Sequence, residues 1–285
     1  MKARLQTAVQ RVVKPVEVSG TSRTQLLALA ELARRAGGDV PAQGRVPGLA
    51  LYELKVFSQN GEDGVLAEII RRSGAPGGWF VEFGTGPGVE TNCAFLADVL
   101  GWSGLFMEAG GTEYEGLERK YRSNPSVATR RTMVGPDNVE RLLDEQGVPA
   151  EFDVLSVDVD GGDYWIWEAL ERHRPRIVVI EYNAALGPDR RLVQPRDTGG
   201  WRETDYFGAS IEALVALGRR KGYRLVHTEL TGNNAFFVRD DLPGEYLDAA
   251  AVPRRSPNFW LEGVVHAPDP EDRAYVDLDQ AHSEP

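Results

Sequence analysis

From about residue 49 onward, short apolar runs alternate with longer stretches in which apolar residues recur every three or four positions. The runs are WFVEFG (79–84), GLFMEA (104–109), SVATRRTMV (126–134), FDVLSVDVD (152–160), RIVVIEYN (176–183), YRLVHTEL (223–230) and NAFFVR (234–239). Runs of this length and composition predict strands, and the stretches 91–100, 137–146, 163–172 and 210–220 predict helices. Strand and helix in alternation predict a Rossmann-like α/β fold, a seven-stranded mainly parallel sheet with helices on both faces. Only Thr231-Gly232-Asn233 separates the last two runs, so the last strand is expected to be antiparallel.

The first 48 residues follow a different pattern. Ser22 and Gln25 have capping-box spacing ahead of Leu26, Leu29, Ala30 and Ala33, and Gly37-Gly38 closes that helix. A Pro/Gly-rich linker then runs to Gly48. This divides the chain into a helical arm (1–48), a main domain (49–266) and an acidic tail (267–285). The arm reads as a packing or homo-oligomer-forming element, with a substrate-gating lid as the alternative.

The chain has 285 residues, 42% hydrophobic and 26% charged, enough apolar material for a large core. One cysteine, Cys93, excludes an internal disulfide, a multi-thiolate zinc site and an iron–sulfur cluster. No run reaches the roughly 18–20 apolar residues of a membrane span, and the basic start lacks the marks of a secretory signal. These features read as cytoplasmic. The net charge is −11; the arm carries +5 and the tail −5, so the body between them is itself acidic. Such a surface repels polyphosphates, which argues against nucleic acid and for a small-molecule acceptor.

The segment Glu82-Phe83-Gly84-Thr85-Gly86-Pro87-Gly88 follows a predicted strand and precedes a predicted helix. That is the context a glycine-rich nucleotide loop requires, because glycines allow a sharp turn and close approach of a ligand. A plain strand-to-helix turn would look similar. Glu108, at the end of the next strand, changes the balance, since an acid there accepts hydrogen bonds from both ribose hydroxyls in nucleotide-binding α/β folds.

With these features the chain resembles class I S-adenosylmethionine-dependent methyltransferases, and more narrowly the FkbM-like group. The matching strings are Ser58-Gln59-Asn60-Gly61-Glu62-Asp63-Gly64, Gly101-Trp102-Ser103-Gly104-Leu105-Phe106-Met107-Glu108, Asp158-Val159-Asp160-Gly161, Glu181-Tyr182-Asn183, Asp205-Tyr206-Phe207-Gly208-Ala209-Ser210 and Asn234-Ala235-Phe236-Phe237-Val238. The resemblance implies a transferase of secondary metabolism in which Glu82, Gly84, Thr85 and Gly86 surround the methionine end of the cofactor and Glu108 holds its ribose. It implies that Asp137 and Asn138 contact adenine, although Asp137 and Glu140 also form a helix-start pair. The Asn/Asp-Pro-Pro-aromatic string of nucleic-acid amino methyltransferases is replaced here by Asp-Val-Asp-Gly.

Ligands of a parallel α/β sheet sit outside the carboxyl ends of its strands. Asp158 and Asp160 end the fourth predicted strand on one face, and Glu181 and Asn183 end the fifth in the same way. Four hard oxygen donors suit Mg²⁺ or Ca²⁺, and a divalent cation would activate a hydroxyl for O-methylation. Metal-dependent O-methyltransferases of the catechol and sugar types place ligands at the ends of the same two strands. Without a metal, Asp158 touches substrate or cofactor and Asp160 caps the following turn.

The expected general base is His227 in the sixth predicted strand; without it, metal activation or an acid such as Asp158 would serve. His173 and His282 read as solvated, Cys93 as a buried small hydrophobe, and Asp163 as a helix N-cap. The polar stretch 187–208 follows the fifth strand, and Arg190, Arg191, Arg196, Trp201 and Arg202 could recognise an anionic or sugar-like acceptor. Two other readings stand beside the methyltransferase. An NAD-dependent oxidoreductase would use the same loop and acid, but the chain has no Tyr-x-x-x-Lys pair. A repurposed, non-enzymatic methyltransferase fold is the other.

Overall fold

The structure, a computed structural model, describes residues 48–74, 78–196, 198, 201–257 and 266–281. The helix expected around Ser22 and Gln25, and His282, lie outside the described residues. The described strands are β1 (Trp79–Phe83), β2 (Ser103–Glu108), β3 (Val127–Arg131), β4 (Glu151–Val157), β5 (Arg174–Glu181), β6 (Leu192–Val193), β7 (Tyr223–Thr228), β8 (Asn234–Arg239) and β9 (Val276–Asp277). The longer helices are α1 (Glu62–Ser73), α2 (Gly111–Tyr121), α3 (Val139–Glu145), α4 (Asp163–Ala169) and α5 (Ile211–Lys221).

Seven strands form one sheet in the order β3-β2-β1-β4-β5-β8-β7, while β6 and β9 pair as a separate ribbon. β1, β2 and β3 run parallel. β8 is antiparallel to both β5 and β7, which leaves β7 parallel to β5. This is the expected Rossmann-like sheet with an antiparallel last strand. Among the described residues, no helix is long and apolar enough to cross a membrane.

The chain gathers into two compact units. One holds the described residues up to Met133 with Phe152–Ser156 and Leu242–Tyr246; the other holds Val134–Glu151, Val157–Asp241 and the described residues from Leu247. In the first, Phe80 packs on Phe106 at 4.9 Å and Phe106 stacks on Tyr121 at 4.8 Å, both ring pairs in the core. Gly104 in β2 makes room for this packing, because a Cβ there would lie 2.2 Å from the Phe80 ring. In the second, Trp167 packs on Phe237 at 4.9 Å and edge-on to Tyr223 at 5.7 Å. Ser210 caps α5 by accepting the Ala213 N–H, and left-handed Gly222 ends it.

The pattern of apolar residues misjudges several elements. The expected helix over 91–100 is irregular and closes in a π-helical turn, Leu96–Leu100, where the Gly101 N–H bonds to the Leu96 carbonyl. α2 escapes the pattern because only Leu117 and Tyr121 of its eleven residues are buried. α1 carries a helical stripe, Val65, Leu66, Ile69 and Ile70, that the strand-and-helix alternation passes over, and it is buried nearly all round. β4 stops at Val157, short of Asp158 and Asp160. The turn between β7 and β8 is as expected: Gly232 has φ +83° and Glu229 accepts the N–H groups of Thr231 and Asn233.

Candidate functional site

The first unit builds a glycine turn at the carboxyl end of β1. Gly84, Gly86 and Gly88 all have positive φ, at +71°, +52° and +76°. Among the described residues, a Cβ at Gly86 would meet nothing within 4 Å, so the turn has open space beside its backbone there. Two carboxylates hold this shape from opposite ends. Glu82 is buried in β1 and its two oxygens accept the N–H groups of Asn92 and Cys93, each at 2.8 Å. Burial pushes the Glu82 carboxyl up to about 7, against the opposing pull of those two bonds. Glu108, at the end of β2, accepts the Gly86 N–H on Oε2 and the Gly110 N–H on Oε1, both at 2.7 Å.

A carboxylate has about four lone-pair positions. The two backbone bonds therefore leave Glu108 able to accept two more hydrogen bonds, as a ribose diol requires. An open, glycine-lined turn beside such an acid fits an adenosine-containing cofactor. Sequence reasoning misses the part played by α2: its Gly116 lies against Pro87, where a Cβ would come within 2.9 Å of the Pro87 Cβ. It also misses Asn92, whose side chain donates to Ser156 Oγ at 3.0 Å.

The second unit brings three acids together. Asp158, Asp160 and Glu181 each offer a carboxylate oxygen within 4.8 Å of the others, and they grade from exposed Asp160 through half-buried Asp158 to buried Glu181. Among the described residues, Glu181 Oε2 is buried without a hydrogen-bond partner. Burial, then the charges of Asp158, Asp163 and Asp160, hold the Glu181 carboxyl well above the usual range. Converging hard oxygens with an unsatisfied buried member fit a divalent cation of the Mg²⁺ or Ca²⁺ kind.

The loop carrying Asp158 and Asp160 departs from the expected strand geometry. Asp160 has φ +57° and Gly161 φ +141°, so the two aspartates converge through a turn, not through strand alternation. Asp163 sets that turn. Instead of capping its own helix, its buried carboxylate accepts the N–H groups of Val159 at 2.9 Å and Gly161 at 3.0 Å, one on each side of Asp160. Burial raises the Asp163 carboxyl to about 6.

Other expected site residues have different surroundings. Asn183 uses both ends of its amide: Oδ1 accepts the Ala185 N–H at 3.0 Å, and Nδ2 donates to the carbonyls of Asp205 and Phe207 at 2.9 and 3.0 Å. It caps a short turn and ties two loops together. Asp137 is highly exposed and pairs with Arg196, while Asn138 accepts the Gly135 N–H at 2.9 Å through its side chain. Glu140 does not close a capping box but accepts the N–H groups of Glu171 and Arg172 and bonds to His173 Nδ1. His173 is therefore buried and not solvated. His227 is 2% exposed inside β7, with its ring tilted against Phe236.

The arginines of the 187–208 stretch are also engaged. Arg190 pairs with Asp277 at 2.7 Å, Arg191 with Asp279, and Arg202 with Glu271 at 3.1 Å. The nearby acids thus occupy the cations expected to recognise an acceptor. Trp201 donates its indole N–H to the Thr204 carbonyl.

The sequence matches no protein-family model and no curated protein. Solved structures similar to it include the CurJ carbon methyltransferase, at 11% identity and TM-score 0.43, with 86% of this chain and 71% of that one covered. They also include the N-terminal domain of EvdMO1 with SAH bound, at 14% identity and TM-score 0.42, covering 76% and 97%. The METTL16 MTase domain is a third, at 13% identity and TM-score 0.42, covering 84% and 91%. The fold itself is defined by the strand order β3-β2-β1-β4-β5-β8-β7.

Proposed function

We propose that this chain is an S-adenosylmethionine-dependent methyltransferase, FkbM-like in its motifs, that O-methylates a hydroxyl of a small-molecule acceptor with the help of a divalent cation such as Mg²⁺. The observation that carries the cofactor assignment is the direct bond between the Gly86 N–H and Glu108. Turn and acid form one cradle, with Glu108 oxygens left for ribose hydroxyls and an open glycine surface for the methionine end. The acidic character of the chain supports a small acceptor over a nucleic acid.

The cofactor, when bound, supplies an electrophilic methyl carbon on a sulfonium sulfur. Transfer of that methyl to an acceptor hydroxyl would require a group of this chain to take up the hydroxyl proton. Asp158, half-buried at its loop, is the group that accepts it, in place of the buried His227. Asp158, Asp160 and Glu181 would hold a cation whose contribution is to lower the pKa of a hydroxyl bound to it. Asp163 keeps the first two of these acids in place.

Isothermal titration with S-adenosylmethionine tests the assignment, and saturable binding is expected. No detectable binding to the folded protein would overturn it. The cation has its own test: methyl transfer to a hydroxyl acceptor should stop in EDTA and return on adding Mg²⁺. Turnover indifferent to EDTA removes the cation and leaves the methyltransferase.

A further inference from the structure

We propose that Asn234 supplies a fourth, neutral oxygen to the cation site formed by Asp158, Asp160 and Glu181. The inference rests on the cation part of the function proposed above. It also gives a role to two sequence strings that the cofactor cradle does not use, Glu181-Tyr182-Asn183 and Asn234-Ala235-Phe236-Phe237-Val238.

Glu181 is the last residue of β5 and Asn234 the first of β8, and the two are direct partners in the antiparallel ladder. Directly opposed residues point to the same face of the sheet, with Cβ atoms about 4.5–5.5 Å apart. Asn234 therefore shares the face of the one acid in the group that is buried and has an unpartnered oxygen. Both side chains are shielded from solvent, at 2% exposure for Asn234 and 7% for Glu181.

The chemistry favours an amide at this position. Three carboxylates already outnumber the two charges of a divalent cation, so a fourth would add repulsion in a buried place. An asparagine carbonyl adds a hard oxygen without adding charge, a donor that Ca²⁺ and Mg²⁺ sites accept. Asn183, the amide suggested by strand alternation, already uses both of its ends in the turn after β5.

The backbone around Asn234 is also fixed in advance. Its carbonyl accepts the Glu229 N–H at 3.1 Å, and its own N–H donates to Glu229 Oε1 at 3.2 Å. The same buried carboxylate takes the Thr231 N–H and hydroxyl, each at 2.7 Å. Glu229 thus locks the β7–β8 turn and with it the start of β8. A ligand held on so rigid a mount needs little further ordering when an ion binds.

The test is a Mn²⁺ titration followed by electron paramagnetic resonance on the full-length protein, with Asn234→Leu and Asn234→Asp beside the unaltered chain. Leucine matches asparagine in size but offers no oxygen, and aspartate keeps the oxygen. The unaltered protein should bind Mn²⁺, Asn234→Leu should bind at least about tenfold more weakly, and Asn234→Asp should bind at least as well as the original. If Asn234→Leu binds within twofold of the original, Asn234 is not a ligand and the three-acid site stands without it. If the unaltered protein binds no Mn²⁺, the cation reading itself falls. Should Asn234→Leu fail to fold, Asn234→Asp decides alone. Its melting temperature without metal should drop, because it adds a carboxylate opposite Glu181, and Mn²⁺ should raise it by more than it raises the original. An equal or smaller rise overturns the proposal.

Discussion

The backbone N–H of Gly86 donates to Oε2 of Glu108 over 2.7 Å, so the acid that ends β2 is fastened to the turn that follows β1. Its other oxygen holds the Gly110 N–H, at the entrance to α2. One side chain therefore sets the spacing between two loops and keeps capacity for a ligand.

Replacing Glu108 should damage cofactor binding more than stability. Glu108→Gln retains one acceptor oxygen and turns an amide donor toward a backbone N–H. Losing charge-assisted bonds worth about 1.5–3 kcal/mol each should weaken S-adenosylmethionine binding by roughly 10- to 100-fold. Isothermal titration of the variant reads this directly. An unchanged affinity would place the ribose elsewhere.

Glu82 gives the fold a pH dependence of known sign. Its carboxyl rises from 4.5 to about 7 on burial, so the folded state binds the proton more tightly than the unfolded chain does. Its contribution is therefore complete below pH 4.5 and is lost as pH rises through about 7, a change of about 3 kcal/mol. Urea melts at pH 5 and pH 8 should show this loss in the original protein and a smaller one in Glu82→Gln. Equal slopes in the two proteins would mean that Glu82 ionises freely.

Asp163→Asn should loosen the acidic loop. The asparagine can accept only one of the Val159 and Gly161 N–H groups, so a buried donor loses its partner at a cost of about 1–3 kcal/mol. Chemical denaturation measures that cost, and Mn²⁺ affinity should fall along with it. A variant that loses stability but binds Mn²⁺ normally would show that Asp163 supports the helix and not the acids.

Gly104→Ala tests the packing beneath the cradle. The added methyl would collide with the Phe80 ring, and overpacking of this kind costs about 1–3 kcal/mol. Phe80→Leu should recover part of the loss in the double variant, because it removes the atoms in the way. A double-mutant cycle with no coupling would contradict the packing.

The sheet was legible because its central strands are buried on both faces and so read as nearly unbroken apolar runs, as in Arg-Ile-Val-Val-Ile-Glu, whereas the edge strand β3 is mostly exposed. The glycine turn and Glu108 could be found for a similar reason: Gly84 directly follows β1, and Glu108 is the last residue of β2. What could not be read is whatever depends on pairing between distant segments. Strand alternation suggested Asn183 beside Glu181, but alternation holds only inside a strand, and Asn183 lies beyond the end of β5. Asn234 comes beside Glu181 through β-ladder register, which no spacing in the sequence reveals. Asp163 looked like a helix cap because a cap and a loop clamp share the same residue type and position. The arginines of the 187–208 stretch looked available because their partners lie some 60 to 90 residues away along the chain.

Gly116 sits on α2 with no space between it and Pro87. The contour of the turn is thus moulded from behind by a helix that never needs to meet a ligand. Transplanting residues 84–88 alone into a foreign scaffold would deliver a peptide without its backing plate. An engineer who wished to resize this cradle for a bulkier cosubstrate would do better to shift the helix seat than to edit the glycines.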